Sequence, residues 1–470
     1  MRSGGMKSGG GGKRFGGKPQ GRPQGKPQGR PQGRPQARPQ HKAPPVPPPS
    51  LEPVEVTIEQ IGGRGDGVAH WRGERLFVPQ TLPGDRLMVR FGAQRGDGWM
   101  AEPVTLLESA AGRVEAPCAH IGSCGGCALQ HLDDSFYDRW KLDLLRTAMA
   151  RAGLPELPFE PLVKTPAGGR RRAVLAAARR GRRMWLGFNE RASHRLVDVE
   201  GCPVMQPPLQ ALLDPLRRLL LSLVPDETKL DVALTLLDDG ADVVLEGLPE
   251  PDLAALEALG TFAGEHDLAR LSWRRKPGAA PEPIALRRDG VVRFGSVTVS
   301  PAPGAFLQAS REGEAALVAL ALAGTAGAES VADLFAGSGT LTFPLAERSR
   351  VHAVESDAQG IRCLEGGARQ LPTGRVTVER RDLFREPLSA AELGQFQAVV
   401  FDPPRAGAQG QAEALAASSV PSVVAISCNP QSFARDARIL VDGGYNLERV
   451  VPVDQFLWSP HLEVAAVFRR

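Results

Sequence analysis

The tetrapeptide Ser427-Cys428-Asn429-Pro430 has the residue types and the position of a nucleophilic site. It follows the apolar run Val420–Ile426, which predicts a buried strand. Asn429 suits the cap of a following helix, and Pro430 suits its first position. Because the N-terminus of a helix favours a thiolate, Cys428 is the candidate nucleophile.

The motif Asp402-Pro403-Pro404-Arg405 precedes Cys428 in the chain and follows a second apolar run, Ala398–Phe401. In an open α/β sheet, ligands bind in the crevice at the carboxyl ends of the strands. Both motifs occupy such strand ends, so we expect Asp402 and Cys428 to face one cleft.

A glycine-rich turn, Asp333-Leu334-Phe335-Ala336-Gly337-Ser338-Gly339-Thr340, joins a predicted strand to a predicted helix, Leu341–Ala346. Gly337 and Gly339 allow a ligand to approach the backbone closely. Turns of this kind hold nucleotide cofactors, but two glycines alone also occur in purely structural turns. The carboxylates downstream favour the cofactor interpretation.

Two of these carboxylates stand where a nucleoside cofactor would need them. Glu355 ends the strand predicted to follow the glycine turn and could hold a ribose diol. Asp382 follows the third strand and could reach an adenine edge. Thr342 occupies the place of the third glycine in the dinucleotide fingerprint. This departure favours S-adenosylmethionine (AdoMet), which has no pyrophosphate, over NAD.

Four of the six cysteines form a second candidate site. Cys118, Cys124 and Cys127 have the spacing C-x5-C-x2-C, and Cys202 lies far downstream. Four thiolates suit a [4Fe–4S] cluster or a zinc ion, and free buried thiols are a third interpretation. Structural zinc more often uses two Cys-x-x-Cys pairs, which favours the cluster. Cys363 falls in a predicted helix and is interpreted as core packing.

The composition is that of an ordinary globular protein, with 42% hydrophobic and 23% charged residues. No apolar run approaches the ~18 residues that cross a bilayer, and the N-terminus has no apolar core for a secretory signal. We therefore expect a cytoplasmic protein without membrane contact, whose cysteines are not paired in disulfides. No segment of the sequence indicates an obligate protein partner.

Residues 1–50 differ from the rest of the chain. They carry eleven Lys or Arg and no acidic residue, and the remaining 46 Lys and Arg against 53 Asp and Glu give residues 51–470 a net charge of −7. From Lys18, a tetrad of the type Lys-Pro-Gln-Gly or Arg-Pro-Gln-Gly occurs six times. Such a segment cannot bury apolar surface and is expected to be disordered. It is either a basic arm for nucleic acid or a solubilising tail.

The residues between this tail and the cofactor turn divide into two further regions. Residues 51–110 contain short predicted strands with glycine turns, typical of a small β-barrel of the OB type. Residues 111–300 are interpreted as a central α/β domain with the cysteines and a predicted helix, Tyr137–Ala152. An arginine run interleaved with Trp185 and Phe188 favours a platform for single-stranded RNA over a solvated hairpin face. The run consists of Arg170, Arg171, Arg172, Arg179, Arg180, Arg182, Arg183, Arg191 and Arg195.

Residues 301–470 contain predicted strands that alternate with helices, which indicates a doubly wound α/β domain. The strands are Ser330–Leu334, Val351–Glu355, Val376–Arg380, Ala398–Asp402, Val420–Ser427, Leu447–Val453 and Glu463–Arg469. If the last strand is antiparallel, its first residue, Glu463, lies at the same sheet edge as Asp402 and Cys428. Taken alone, Glu463 would be an ordinary charge at a strand end.

Together these motifs resemble the RNA 5-methyluridine methyltransferase family, and the resemblance covers about residues 52–470. It rests on the barrel segment, which resembles a TRAM domain, on the cysteines and the glycine turn, and on four further motifs: Phe306-Leu307-Gln308, Asp402-Pro403-Pro404-Arg405, Ser427-Cys428-Asn429-Pro430 and His461-Leu462-Glu463. The resemblance implies a class I AdoMet methyltransferase domain with Cys428 as nucleophile and Glu463 as base. It also implies a [4Fe–4S] cluster on Cys118, Cys124, Cys127 and Cys202.

The same resemblance implies which residues bind AdoMet. They are Gln308, Phe335, Gly337, Gly339, Thr340, Glu355, Asp382 and Asp402. The sequence departs from the family pattern at two positions, since Ser310 and Thr340 each stand where the family often has Asn.

The implied reaction explains these residue types. C5 of uracil is too poor a nucleophile to take a methyl group unaided, but a thiolate that adds to C6 makes C5 enolate-like. A base must then remove the C5 proton before the sulfur can leave. The target uridine must leave its stack, so we expect a flipped base or a single-stranded loop of RNA. Cytosine-5 enzymes carry their cysteine in a Pro-Cys context, whereas here Pro404 precedes Arg405.

The predicted function is AdoMet-dependent methylation of a uridine at C5 in RNA. The TRAM-like segment and the four cysteines favour 23S ribosomal RNA as substrate, and transfer RNA is the alternative. A catalytically inert RNA-binding or ribosome-assembly factor is the alternative of another class. The intact Cys428, Glu463 and glycine turn argue against that alternative.

Overall fold

Three large β-sheets follow one another along the chain in the computed structural model, which describes residues 47–156, 158–191 and 193–470. Residues Pro47–Arg470 form one compact unit. The predicted domain boundaries near residues 110 and 300 therefore stay a prediction. The basic repeat that was predicted to be disordered lies in residues 1–46, outside the described residues.

The first sheet has six strands in the order β1-β5-β6-β4-β3-β2. They are β1 (Val54–Thr57), β2 (Gln60–Ile61), β3 (Gly67–Trp71), β4 (Glu74–Val78), β5 (Arg86–Arg95) and β6 (Gly98–Glu108). Only Ile58 and Glu59 separate β1 from β2, so one bent segment forms both edges of the sheet. The sheet therefore closes on itself around an apolar interior, in agreement with the predicted small barrel.

The second sheet has seven strands in the order β10-β9-β8-β11-β12-β13-β14. The elements of this region, in chain order, are α1 (Asp134–Arg151), β7 (Val163–Lys164), β8 (Arg172–Arg180), β9 (Arg183–Asn189), β10 (Leu196–Asp198), α2 (Pro207–Gln210), α3 (Leu213–Leu223), β11 (Lys229–Leu236), β12 (Ala241–Glu246), α4 (Leu253–Glu265), β13 (Arg270–Arg274), β14 (Glu282–Leu286), β15 (Val292–Phe294) and β16 (Val297–Val299). The strands β15 and β16 form a separate hairpin.

The third sheet has eight strands in the order β19-β18-β17-β20-β21-β23-β22-β7. Its further elements are α5 (Arg311–Gly324), β17 (Ser330–Leu334), α6 (Thr342–Ala346), β18 (Arg350–Glu355), α7 (Ala358–Ala368), β19 (Val376–Arg380), α8 (Ala390–Leu393), β20 (Ala398–Phe401), α9 (Gln409–Ala416), β21 (Ser422–Ser427), α10 (Pro430–Asp442), β22 (Asn446–Asp454) and β23 (Glu463–Arg469). All seven predicted strands are present, with ends that differ by at most two residues. Helices cover both faces of the sheet, and the doubly wound prediction is confirmed.

The last strand, β23, runs antiparallel to β21, as expected. The pairing of Ser427 with Val464 places the first residue of β23 beside the last residue of β21. The sheet therefore brings Glu463 to the edge where Cys428 follows its strand.

Helix α1 packs on the third sheet although it lies far from β23 in the chain. Leu145 and Ala148 of α1 belong to the same apolar core as Phe433 of α10. The sequence predicted a helix from Tyr137, but it begins at Asp134 because the side chain of Asp133 accepts a hydrogen bond from the amide of Phe136, 2.7 Å away.

A buried ion pair joins α1 to the last residue of β22, where the loop to β23 begins. The side chains of Lys141 and Asp454 are both fully buried, with 2.8 Å between Nζ and Oδ1. Lys141 Nζ also donates to the carbonyl of His461, and the Tyr137 hydroxyl donates to Asp454 and accepts from the amide of Trp458. Burial lowers the pKa of Lys141, and the carboxylate of Asp454 opposes that shift. These contacts fix residues 454–461 against α1.

The arginines predicted to form an RNA platform lie in different environments. Arg171 is fully buried, where Nε donates to the carbonyl of Gln308 and Nη2 pairs with Glu314. Arg191 pairs with Asp66 of the barrel. Of the nine, Arg180, Arg182, Arg183 and Arg195 are exposed. A buried guanidinium that already has a carboxylate partner cannot meet a phosphate, so Arg171 is structural, while the platform stays a prediction for the exposed arginines.

No helix in the described ranges combines the length and the apolar character that a membrane span requires.

Replacement of Lys141 by alanine is expected to lower the free energy of unfolding by about 3–5 kcal/mol, because it leaves Asp454 charged, buried and unpaired. Thermal unfolding and denaturant titration measure this loss. As a control, Arg438→Ala removes a pair with Asp442 in which both side chains are about half exposed, and it should cost less than about 1 kcal/mol. Equal stability of Lys141→Ala and the wild type would contradict the structural role of this pair.

Candidate active site

A cavity of about 670 Å³ opens at the carboxyl ends of the parallel strands of the third sheet. Nine of the ten residues that the sequence assigned to catalysis or cofactor binding line it: Gln308, Phe335, Gly337, Thr340, Glu355, Asp382, Asp402, Cys428 and Glu463. Gly339 is the exception. A Cβ at that position would lie 2.2 Å from the ring of Phe343, so Gly339 allows close packing behind the turn.

Cys428 lies between β21 and α10, where the chain turns into the helix. The Asn429 side chain caps α10 by accepting from the amide of Gln431, and Pro430 occupies the first turn, as predicted. Asn429 Nδ2 also donates to the carbonyl of Arg405, 3.1 Å away. The motifs that contain Asp402 and Cys428 are therefore held together by direct contact.

The surroundings of Cys428 oppose ionisation of its thiol, whereas the helix N-terminus alone predicted a thiolate. Burial and the charges of Glu463 and Asp402 together raise the pKa of the Cys428 thiol to about 11, although Arg405 lowers it. Desolvation and two nearby carboxylates therefore outweigh the favourable helix N-terminus.

Two of the cavity carboxyl groups, Asp402 and Glu463, lie in the same poorly solvated space. Glu463 is only 4% exposed, and burial and the charge of Asp402 raise its pKa, whereas Arg405 lowers it. Loss of solvation also raises the pKa of Asp402, whose Oδ2 accepts a hydrogen bond from Gln308 Nε2 at 3.0 Å. The site therefore contains two carboxyl groups that can accept protons near neutral pH.

Gln308 is held by hydrogen bonds at both ends of its amide. Its Nε2 donates to Asp402, and its Oε1 accepts from Gln455 Nε2 at 2.9 Å. Gln455 directly follows Asp454, so the network that binds Lys141 also orients Gln308. Sequence reasoning missed Gln455 because no local pattern marks a buried amide in a loop.

Ser310, which departs from the family pattern, does not line the cavity. Its side chain caps α5 by accepting from the amide of Gly313, and it shares a 2.8 Å hydrogen bond with the hydroxyl of Thr165. Thr340, the other departure, does line the cavity.

The glycine turn has the shape of a cofactor cradle. Glu355 accepts from the amide of Gly337 with one oxygen, at 2.8 Å, and from the amides of Ser356 and Asp357 with the other. Phe335 adopts a φ of +62°, which a residue with a side chain rarely adopts. The carboxylate therefore holds the turn and still faces the cavity, where a ribose diol could reach it.

An aromatic wall and a half-paired carboxyl group complete the cavity, and sequence reasoning gave no role to Phe384 or Asp333. The rings of Phe335 and Phe384 lie 5.4 Å apart beside Asp382, which suits the face and the edge of a nucleobase. Asp333 is buried with a pKa raised to about 7 by desolvation. Its Oδ2 accepts from Thr342, but its Oδ1 has no partner among the described residues. A ligand cation would satisfy that oxygen, so these residues fit AdoMet.

Backbone contacts hold the loop 118–127, which carries three of the predicted cluster cysteines, against the end of β9. Cys124 forms an isolated β-bridge with Glu190, and Gly125 donates to the carbonyl of Asn189, near Cys202 in the chain. In the ranges that the structure describes, no group of three or more His, Cys, Asp or Glu is arranged to hold one metal ion. The donor chemistry of four thiols fits an iron–sulfur cluster, in which each cysteine binds a different iron, but a site for a single ion is not formed.

Comparison with known proteins places the chain among RNA-modifying enzymes. The family model for tRNA (uracil-5-)-methyltransferases matches residues 376–470. An RNA methyltransferase of Brucella suis is 43% identical over 88% of this chain and 98% of that protein. The 23S rRNA (uracil(1939)-C(5))-methyltransferase of Chromohalobacter salexigens is 35% identical over 88% of this chain and 89% of that protein.

A solved structure shows the same fold. The tRNA (uracil-54, C5)-methyltransferase of Pyrococcus abyssi, crystallised with S-adenosyl-L-homocysteine, has a TM-score of 0.68 and 22% identity over 88% of this chain and all of that chain. The architecture is thus that of a class I AdoMet methyltransferase. Because the two curated relatives match along nearly their full lengths, the chain belongs to the RNA (uracil-5-)-methyltransferase family.

Proposed function

We propose that this protein transfers a methyl group from AdoMet to C5 of a uridine in 23S ribosomal RNA. The observation that carries the proposal is the single cavity in which Cys428 and Glu463 meet the glycine turn. A methyltransferase that acts on oxygen or nitrogen would need neither a cysteine nor a second proton acceptor at this place.

The proposed mechanism begins with Cys428. Its thiol loses a proton, and the sulfur adds to C6 of the uracil, which places electron density on C5. C5 then attacks the methyl carbon, for which bound AdoMet would supply an electrophilic sulfonium and leave as S-adenosylhomocysteine. Glu463 then removes the proton from C5, and the electron pair of that C–H bond re-forms the C5–C6 double bond as the sulfur leaves.

The two carboxyl groups suit the two protons that must move. One proton leaves the Cys428 thiol before addition, and another leaves C5 before elimination. Burial raises the pKa of Asp402, and burial together with the charge of Asp402 raises that of Glu463, so each can accept a proton near neutral pH. Loss of one such group typically lowers the rate by ~10²–10⁴.

The proposed substrate rests on the curated relative that acts on 23S rRNA. That relative shares 35% identity along nearly its whole length. Transfer RNA is the second candidate, because the family model and the Pyrococcus abyssi enzyme are both described by tRNA substrates. At 22% identity, that enzyme is the weaker guide to substrate.

We also propose that Cys118, Cys124, Cys127 and Cys202 hold a [4Fe–4S] cluster. Support comes from the four-thiol donor set and from the amide of Gly126, which donates to Cys124 Sγ at 3.4 Å, since amide donors commonly tune cluster sulfurs. The cluster would join the loop 118–127 to the second sheet. It takes no part in the proposed methyl transfer.

Purified protein is expected to transfer labelled methyl groups from AdoMet to an unmodified 23S rRNA transcript and to form 5-methyluridine. Transcripts of tRNA serve as the competing substrate. Cys428→Ser should reduce incorporation to background, because no unassisted route to C5 is available, while AdoMet binding persists. Normal methylation by Cys428→Ser would disprove the mechanism.

The same assay should trap an intermediate in Glu463→Gln. Without a base for the C5 proton, this variant is expected to accumulate a covalent RNA–protein adduct, seen as a slow band on denaturing gels. Asp442→Asn, at the exposed far end of α10, is the control that should form no adduct. Normal turnover by Glu463→Gln would reject Glu463 as the base.

The high pKa of Cys428 predicts a distinctive pH dependence of its alkylation. With a pKa of about 11, the rate of reaction with iodoacetamide should still rise tenfold per pH unit between about pH 8 and 10, where an ordinary thiol levels off. Glu463→Gln removes a nearby negative charge and should lower that pKa, which increases the rate. Peptide mass spectrometry follows Cys428 alone, and a plateau near pH 9 in the wild type would contradict the assigned environment.

Anaerobically purified protein is expected to contain four iron and four sulfide per chain, with a broad absorbance that reductants bleach. Cys202→Ser should lose this absorbance, while Cys363→Ser, which alters a cysteine of the apolar core, should keep it. Stoichiometric zinc without iron would replace the cluster assignment by a zinc site.

A further inference from the structure

A basic groove runs between the barrel and helix α1, outside the catalytic cavity. It consists of three adjoining hollows of about 310, 560 and 670 Å³, which we call the α1 groove. The first two share Gly62, Gly63 and Arg75, and the last two share Arg146 and Thr147. The hollows therefore form one continuous surface.

The α1 groove carries positive charge that the protein itself does not neutralise. Arg64, Arg139 and Arg151 line it and are exposed, and within the described part of the chain no carboxylate lies within salt-bridge distance of them. Of the groove carboxylates, Asp66, Asp97 and Asp143 are already paired with arginines, and Glu59 lies beside His70. Glu156, in the third hollow, has no such partner among the described residues. Three unpaired arginines against this one carboxylate leave the groove electropositive, although residues 51–470 carry a net charge of −7.

Three arginines of the groove lie over aromatic rings. The unpaired Arg139 has its guanidinium 4.7 Å from the ring of Phe136. Arg75 and Arg146, which are paired with carboxylates, lie 5.0 Å from the ring of Phe77 and 5.8 Å from the ring of Phe159. Guanidinium groups beside aromatic rings match the phosphates and bases of an unpaired strand, whereas an acidic peptide would not require the rings.

The α1 groove reaches the active site at its α10 end. Gln431 lines the groove and is the third residue after Cys428. Helix α1, which forms one wall, is the helix whose Lys141 is buried against Asp454 and the carbonyl of His461. A strand that leaves the cavity past the start of α10 would therefore enter the groove directly.

We propose that the α1 groove binds the single-stranded RNA that flanks the target uridine. This inference rests on the proposed function, because a uridine that reaches Cys428 must be unstacked and its neighbours must follow the surface beside the cavity. Arg64, Arg139 and Arg151 contact phosphates there, and the neighbouring rings accept bases. The affinity comes mainly from phosphates and is therefore sensitive to salt.

The test compares the full-length wild type with the double variant Arg139→Gln/Arg151→Gln. The probe is a fluorescein-labelled fragment of 23S rRNA that contains the uridine corresponding to the one named for the Chromohalobacter salexigens relative. The double variant should bind it about tenfold more weakly at moderate salt, and the slope of log affinity against log KCl concentration should fall by about 1.4. The kcat at saturating RNA and the affinity for AdoMet should not change, because neither arginine lines the catalytic cavity.

A charge-matched control separates a local contact from a general effect of charge. Arg348→Gln/Arg350→Gln removes two exposed arginines at the start of β18, the end of the strand opposite Glu355 and the cavity. This control should bind RNA like the wild type. Equal RNA affinity and equal salt slope in Arg139→Gln/Arg151→Gln and the wild type would overturn the proposal.

The binding and activity measurements distinguish the two proposals. If Arg139→Gln/Arg151→Gln methylates and binds RNA normally, the RNA-binding role of the α1 groove is rejected and the proposed function stands. If that variant binds RNA more weakly but the wild type methylates no RNA, the role of the groove stands and the proposed function is rejected.

Discussion

The buried pair of Lys141 and Asp454 is the contact on which the arrangement of the active site depends. Because neither charge contacts solvent, each is stabilised by the other. Separation of α1 from residues 454–461 would break the pair and leave an unpaired buried ion. This segment leads directly to Glu463, and its Gln455 orients Gln308. One contact between residues 313 positions apart thus sets the place of the proposed base and of a cofactor residue.

The cavity favours a bound cation over an empty state. Asp333, Asp402 and Glu463 all have raised pKa values, with burial as the main cause, and Cys428 shares the same shift. Each group would ionise more readily beside a positive charge. A sulfonium or ammonium ligand therefore stabilises the ionised forms that the chemistry requires.

Much of this site could be predicted because its determinants are local. Apolar runs, the Asn429 cap and the positions of charged residues at strand ends were sufficient to place Asp402, Cys428 and Glu463 on one edge. The pKa of Cys428 could not be predicted, because it depends on burial and on carboxylates that only the folded chain brings near. Gly339 and Arg171 were assigned to ligand contacts for the same reason, because their tertiary surroundings could not be predicted. In the folded chain, Gly339 packs against Phe343 and Arg171 pairs with Glu314.

The distribution of charge connects the fold to an RNA substrate. The whole chain has a net charge of +4, but residues 51–470 carry −7, and the net charge of that part alone would oppose binding of a polyanion. The interior of residues 47–470 uses arginines such as Arg171 and Arg270 to neutralise buried carboxylates, so these cations contribute nothing at the surface. The positive charge that the surface offers to a polyanion therefore comes mainly from exposed arginines that have no carboxylate partner. Because Arg64, Arg139 and Arg151 line one groove next to the catalytic edge, local attraction can direct a strand to the cavity despite the net negative charge of residues 51–470.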